Sequence, residues 1–276
     1  MGVRTIYFRF QTPKLTSAQQ AYEERSNQSG LASEHTTSED LRKAHCHHTR
    51  KDPMPYQYDI VCLANSWKHG GRCIAGKVYS GPYAGRWIRP VGRTAGQRQI
   101  QFPEMDYGQG QYASVRDIIR IEFSGREQGT FQGENMIISG ARWTKVGEIQ
   151  NSEIGNWLDQ PDTLWENGSR SHYGLNDKID RTMLQEPRTS LCLINPQNPR
   201  VRVGPEHNGD IKVRVLFEYN GVEHALTATD AQIQAEYRGR NHGTYELTNV
   251  RGMTISLGER LPAEIGDSYK LVAHVF

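Results

Sequence analysis

Residues 60–92 read IVCLANSWKHGGRCIAGKVYSGPYAGRWIRPVG, and the fold turns on how this stretch is parsed. The apolar run Ile60, Val61, Cys62, Leu63, Ala64 predicts a buried strand. A polar turn over 65–71 follows, carrying Ser66, Lys68, His69 and a Gly-Gly pair. A second strand is expected over 72–79 and, after a Gly-Pro turn, a third over 86–91. Three short strands joined by Gly-rich turns predict an antiparallel meander, the seed of a small barrel or sandwich. Lys68, Arg72, Arg86 and Arg89 are interleaved with Trp67, Tyr79, Tyr83 and Trp87. Cations among aromatic rings suit a nucleotide, with guanidinium or ammonium for phosphate and ring faces for the base. The competing reading puts the tryptophans in the core and leaves the cations solvated.

Outward from this stretch, composition narrows the possibilities. The chain has 276 residues, enough for one large domain or two small ones, and a formal net charge of +2. Only 36% of residues are hydrophobic and mean hydropathy is −0.72, which predicts that part of the chain is not packed. That part is residues 1–53. Ser, Thr, Gln, Glu and His dominate it and no apolar period is sustained, so we expect a polar, disordered extension, with Met54 as the functional start. The run His45, Cys46, His47, His48 resembles a metal cluster, but adjacent ligands in a polar segment do not supply the spaced pairs of a tetrahedral site. Residues 54–276 carry 19 arginines and 6 lysines against 15 glutamates and 10 aspartates, so the folded part is neutral. Neutrality argues against long duplex as a ligand, and the arginine bias favours planar, stacked recognition over bulk attraction. No apolar run is long enough to span a membrane, the N-terminus lacks a secretory h-region, and Cys46, Cys62, Cys73 and Cys192 show no CxxC pairing. A soluble cytoplasmic protein with reduced thiols is expected.

Further along, residues 93–111 read as a long loop. Strands are expected over 114–123 and over 136–146, the latter carrying Trp143. Five strands in some ninety residues suit an OB-type barrel, although an SH3-like barrel would look similar. Residues 152–165 predict a helix with Ser152 as N-cap, and 171–186 a turn-rich piece with a short apolar face. A second β unit begins at 189, with strands near 190–194, 200–203 and 211–219. Asn220-Gly221 predicts a type I′ hairpin, Thr229 and Asp230 cap a short helix, and strands at 253–257 and 269–276 close the unit. Alternation over 212–215 puts Lys212 and Arg214 on one face and two valines on the other.

Three stretches, SWKHGGRCIAG at 66–76, RWIRPVG at 86–92 and ISLGER…YKLVAHVF within 255–276, resemble the prokaryotic dual OB-containing domain family. The resemblance covers about residues 56–276. It implies a mainly β fold of two small OB-like β-barrels joined by a partly helical connector: a first barrel over 54–146, the connector over 147–188 and a second barrel over 189–276. It further implies association with prokaryotic conflict and phage-defence settings, with nucleic acid or a nucleotide as ligand. It supplies no catalytic motif.

Two constellations stand out as ligand-binding candidates. In the 66–72 turn, Ser66, Lys68 and Arg72 could hold a phosphate, with Gly70 and Gly71 allowing close approach, although no Walker A loop is present. On the next strand, alternation puts Trp87 and Arg89 on one face, which suits base stacking beside phosphate contact. Asn176, Asp177, Asp180 and Arg181 form the polar face of a short helix, either as ribose and phosphate contacts or as helix-end charges paired Asp177 to Arg181. Asp177, Asp180 and Glu186 are too ordinary a set to indicate Mg²⁺. His172, His207, His224, His242 and His274 are scattered, and no HExxH or GxSxG pattern exists. No cofactor is expected. The leading reading is a non-enzymatic binder of single-stranded nucleic acid or a nucleotide, through Ser66, Lys68, Arg72, Trp87, Arg89, Asp177 and Arg181. The alternatives are an enzyme on a nucleotide or modified nucleic acid centred on Asp177, Asp180 and Arg181, and a protein-docking adaptor.

Overall fold

The computed structural model describes residues 56–68, 70–94, 96, 98–184, 188–206, 209–260 and 266–276. The expectations for residues 1–53, the histidine-cysteine run included, and for His69, Glu186 and His207 lie outside the described residues.

The apolar run becomes the middle of β1 (Tyr56–Lys68). It is continuous rather than alternating because both faces of the strand are covered. Ile60 and Cys62 enter a core with Ile74, Ile88, Ile119, Ile121 and Phe123. Val61 and Leu63 pack the other way, against Leu193 from the second half of the chain. The register shifts between Cys62 and Ala64, and the bulge lets Ala64 follow Leu63 outward to meet Leu191 and Ala273.

β1 forms a meander with β2 (Gly71–Val78) and β3 (Trp87–Val91). After β3 comes a small ribbon of β4 (Asp106–Gly108) and β5 (Gln111–Tyr112). β6 (Asp117–Arg126), β7 (Asn135–Ile138) and β8 (Thr144–Glu148) follow. β3 runs parallel to β7, β7 antiparallel to β6, and β6 antiparallel to β1. The hydrogen-bonded path β1-β2-β3-β7-β6 therefore returns to β1, a closed five-stranded barrel of OB type.

The second half holds β9 (Lys178–Ile179), β10 (Leu191–Ile194), β11 (Gln197–Pro205), β12 (Ile211–Tyr219) and β13 (Val222–Ala228). Then come α1 (Ala231–Tyr237), β14 (Gly243–Glu246), β15 (Met253–Leu257) and β16 (Ser268–Val275). The path β10-β15-β16-β13-β12-β11 repeats the first ring, again with one parallel contact, β13 to β16. Its two ends, β10 and β11, are consecutive in the chain and separated only by Asn195 and Pro196. This ring is completed through the chain itself. Asn220 and Gly221 both take positive φ, 49° and 76°, as a type I′ turn requires. The Asp230 carboxylate caps α1 by accepting from the Gln232 N–H at 2.7 Å.

Five local expectations differ. The turn expected over 65–71 is much shorter, because β1 runs on to Lys68 and β2 begins at Gly71, and the loop expected over 93–111 holds a 3₁₀ turn, Phe102–Met105, and most of the β4–β5 ribbon. The strand expected over 136–146 is two strands, β7 and β8, broken at Gly140 (φ 93°), and Trp143 leaves the sheet to fill the first core. The helix expected over 152–165 is a 3₁₀ segment, Asn151–Trp157. Its N-cap is Gln150, two residues before the expected Ser152, with the Glu153 carboxylate accepting from the Gln150 N–H at 2.6 Å, and Lys77 binds the Trp157 carbonyl at 2.7 Å. The polar helix face expected around 176–181 is absent. Asp177 folds back onto the N–H and hydroxyl of Ser171, β9 adds to β16, and Asp180 caps the short 3₁₀ turn Arg181–Met183. Among the described residues no helix is long and apolar enough to cross a membrane, and Cys62, Cys73 and Cys192 are free thiols.

Candidate nucleic-acid interface

Where the two barrels meet, the β1–β2 end of the first faces β13, β16 and the start of α1 in the second. The Trp67 N–H donates to the Thr229 carbonyl at 2.8 Å, and Ser66 bridges to Asp230. Beside this junction opens a cleft of about 1340 Å³. Its walls hold Lys68, Arg89 and Arg98 from the first barrel and Lys212, Arg214 and Arg238 from the second, against Asp177, Glu206, Asp210 and Glu259.

The floor is a network of buried charge. Arg89 is 2% exposed; its Nη1 lies 3.1 Å from Glu134 Oε1, and Nη1 and Nη2 donate to Asn135 at 3.2 Å and Ser256 at 3.1 Å. Glu134 accepts also from the N–H and hydroxyl of Ser190. Arg214 is held between Asp177 at 3.2 Å and Glu206 at 2.9 Å. Gly174 has to be glycine here, because a Cβ would fall 1.8 Å from an Asp177 oxygen. At the walls Lys68 pairs with Glu259 at 2.5 Å, and Arg98 with Glu127 at 3.0 Å. Lys212 and Arg238 are exposed and make no ion pair among the described residues. The cleft therefore presents two cations outside any ion pair among the described residues, Lys212 and Arg238, with the exposed Asp210 on the same walls, above a neutralised floor.

The mouth is aromatic. The Arg72 guanidinium lies 4.3 Å from the Trp67 ring centroid and 5.7 Å from that of Phe102, and Phe102 meets Tyr112 edge to face at 5.6 Å. Trp67 remains 53% exposed with Arg72 over it. Burial pulls the Arg72 guanidinium below its ordinary value, against the pull of Asp230. Gly71 serves the turn itself: a Cβ would lie 2.5 Å from the Ile100 carbonyl, which accepts the Arg72 N–H.

Of the residues singled out from sequence, Ser66, Lys68, Arg89 and Asp177 line this one cleft, and Arg72 stands at its mouth. Trp87 shares the outer face of β3 with Arg89 but opens onto a different groove, its indole N–H donating to Asp159 at 3.0 Å. Arg181 is exposed and apart, its N–H donating to Asp267 at 3.1 Å. Asp180 accepts from Thr182, so Asp177, Asp180 and Arg181 do not converge. Among the described residues no group of His, Cys, Asp and Glu could hold a metal ion. Phe102 and Tyr112 were not singled out. Their signal was aromatic residues, Tyr107 with them, in the otherwise Gly-, Gln- and Arg-rich stretch 93–112.

The family model of the dual OB-containing domain matches residues 58–275, nearly all of the described chain. No curated protein and no solved structure matches.

Proposed function

The chain belongs to the dual OB-containing domain family, and from that premise we propose a non-enzymatic binding protein for single-stranded nucleic acid or a nucleotide, held in the cleft between the barrels. The observation that carries this reading is the half-exposed Trp67 ring with the Arg72 guanidinium at 4.3 Å, set at the mouth of a cleft rimmed by Lys212 and Arg238. A ring face takes any base, and planar guanidinium and rim ammonium take phosphate, which is the sequence-tolerant chemistry of single-strand binding. The neutral balance of residues 54–276 favours a ligand gripped locally over one held by bulk charge. A place in a prokaryotic defence system belongs to the same proposal and rests on the family resemblance alone.

The test is titration of labelled nucleotides and short single strands against the full chain and its Trp67→Ala and Lys212→Ala variants. Trp67→Ala is expected to weaken binding about tenfold, the scale of one lost stacking contact, and Lys212→Ala by a few-fold with a shallower salt dependence. Affinities equal to the parent in both variants would remove the cleft as the site.

A further inference from the structure

A second groove of about 1040 Å³ opens on the other side of the buried Arg89–Glu134 pair: Arg89 lines the first cleft and Glu134 this one. Its wall is aromatic and basic. Tyr83 is 46% exposed and lies edge to face with Tyr58 at 6.1 Å, and the Arg86 guanidinium is 5.3 Å from the Tyr83 centroid. Tyr56 and Trp87 continue the surface.

The carboxylates that line the groove are already engaged. Glu134 is held by Arg89 and Ser190, and Asp159 by Lys77 at 2.6 Å and the Trp87 indole. Arg86 makes no ion pair among the described residues, and Arg126 donates to the neutral Gly133 carbonyl at 3.2 Å. Stacking surface with free guanidinium is thus what the groove presents, the same chemistry as the first cleft.

The two openings lie at opposite ends of one strand: Tyr56 begins β1 and lines the groove, while Ser66, Trp67 and Lys68 end it and line the cleft. Eleven residue steps of strand lead from Tyr56 to Trp67, at most about 35 Å at the usual rise and shorter across the bulge between Cys62 and Ala64. No mononucleotide reaches across that span. We propose, on the strength of the cleft reading above, that both openings grip one ligand, a single-stranded polynucleotide that runs along the first barrel from the Trp67 mouth to the Tyr83–Arg86 groove.

The experiment measures anisotropy of labelled single strands of about 4 and about 24 nucleotides, as DNA and as RNA, with the full chain. The variants are Trp67→Ala, the double variant Tyr83→Ala with Arg86→Ala, and Arg86→Glu, which keeps the aromatic wall. Trp67→Ala should weaken both lengths. The two groove variants should weaken the long strand about tenfold in at least one sugar series and leave the short strand unchanged. Groove variants that bind the long strand like the parent, while Trp67→Ala loses both, overturn the second grip and leave the cleft standing. Equal loss of the short strand in the groove variants also overturns it, because the groove would then be the primary site. A parent that binds nucleotides but neither strand overturns the polynucleotide and retains the cleft, and a parent that binds none of them overturns both.

Discussion

The two barrels share a ring order but differ in what they keep inside. The clustered core of the first is apolar: Ile60, Cys62, Ile74, Ile119, Ile121, Phe123 and Trp143 meet there, and Arg89 and Glu134 are buried outside the ring, where the second barrel covers them. The second admits ionisable groups to its interior. On β13, His224 shares a face with the core residues Leu226 and Ala228, and on β16 Lys270, which also borders the cleft between the barrels, shares one with the core residue Val272. His224 stacks on Phe217 at 5.1 Å. Lys270 is fully buried and donates to the Glu166 carbonyl at 2.6 Å and to Asn167. Residues 161–171 make this tolerable. They close that end of the ring, packing Leu164 into the core and offering acceptors to the Lys270 ammonium, so it finds partners without a carboxylate contact, whereas His224 Nδ1 is buried with no hydrogen-bond partner. Both rings thus carry buried charge on the outside, Arg89–Glu134 and Arg214–Asp177, but the second also holds ionisable groups inside, which predicts that they respond to different perturbations.

The largest effect is expected at the first ring's outside charge. Arg89→Ala leaves Glu134 buried with only Ser190 as partner, and should cost about 3–5 kcal/mol in urea unfolding. A loss below about 1 kcal/mol would mean that water reaches Glu134 through the adjoining groove, and the seam could not be treated as buried.

Next comes acid. Burial, with the nearby Lys270 charge, lowers His224 from 6.5 to about 4. Between these values the unfolded chain binds a proton that the folded chain refuses, so stability rises with pH across this window and is flat, for this group, above 6.5. The rise is at most about 3 kcal/mol. His224→Phe should flatten the acid limb of a urea-midpoint profile. An unchanged limb would move the acid sensitivity elsewhere, with the His274–Asp230 contact at 3.0 Å the next place to look.

Alkali should act through the other interior group. Burial lowers Lys270 to about 8, against the raising pull of Glu166 and Asp177. The sign is the same as for His224: from about pH 8 towards 10.5 the unfolded chain holds the extra proton, and stability again rises with pH. Lys270→Met, similar in length and uncharged, should remove this second rise and leave the first barrel's response to Arg89→Ala unaltered. A rise that survives the substitution would contradict the placement of Lys270 inside the ring.

What the sequence disclosed follows the range of the forces involved. The run at 60–64 was legible because a strand covered on both faces needs no polar residue, and Asn220-Gly221 and Asp230 because turns and caps are local chemistry. Alternation placed Trp87 and Arg89 on one face of β3, as they are. It carried no information that the second barrel divides that face, sending Trp87 to one opening and Arg89 to the other. Ser66 and Lys68 read as parts of a polar turn, but they are paired strand residues at the end of β1. Their partners Asp230 and Glu259 lie more than 160 residues away, and pairings at such separation leave no pattern to read. Asp177 looked like a helix-surface charge because its tie to Arg214 lies 37 residues further along the chain, beyond the reach of any local pattern.

The smallest prediction concerns how each ring closes. The first closes by a ladder between β1 and β6, six residue pairs from Tyr56 opposite Phe123 to Val61 opposite Ile118. The second closes through Asn195 and Pro196, after β10 has paired with β15 and before β11 pairs with β12. Proline restrains its own φ and holds the preceding residue in extended conformation, so the corner is stiff before the strands on either side have found their partners. Pro196→Ala should therefore act mainly by loosening the unfolded chain and lower stability by about 0.4–1 kcal/mol, with an unchanged dependence on urea concentration. A loss of several kcal/mol, or a shallower dependence, would mean that the second ring opens at this corner in the native state. Closure through the chain would then be a weak point of that barrel, in contrast to the hydrogen-bonded closure of the first.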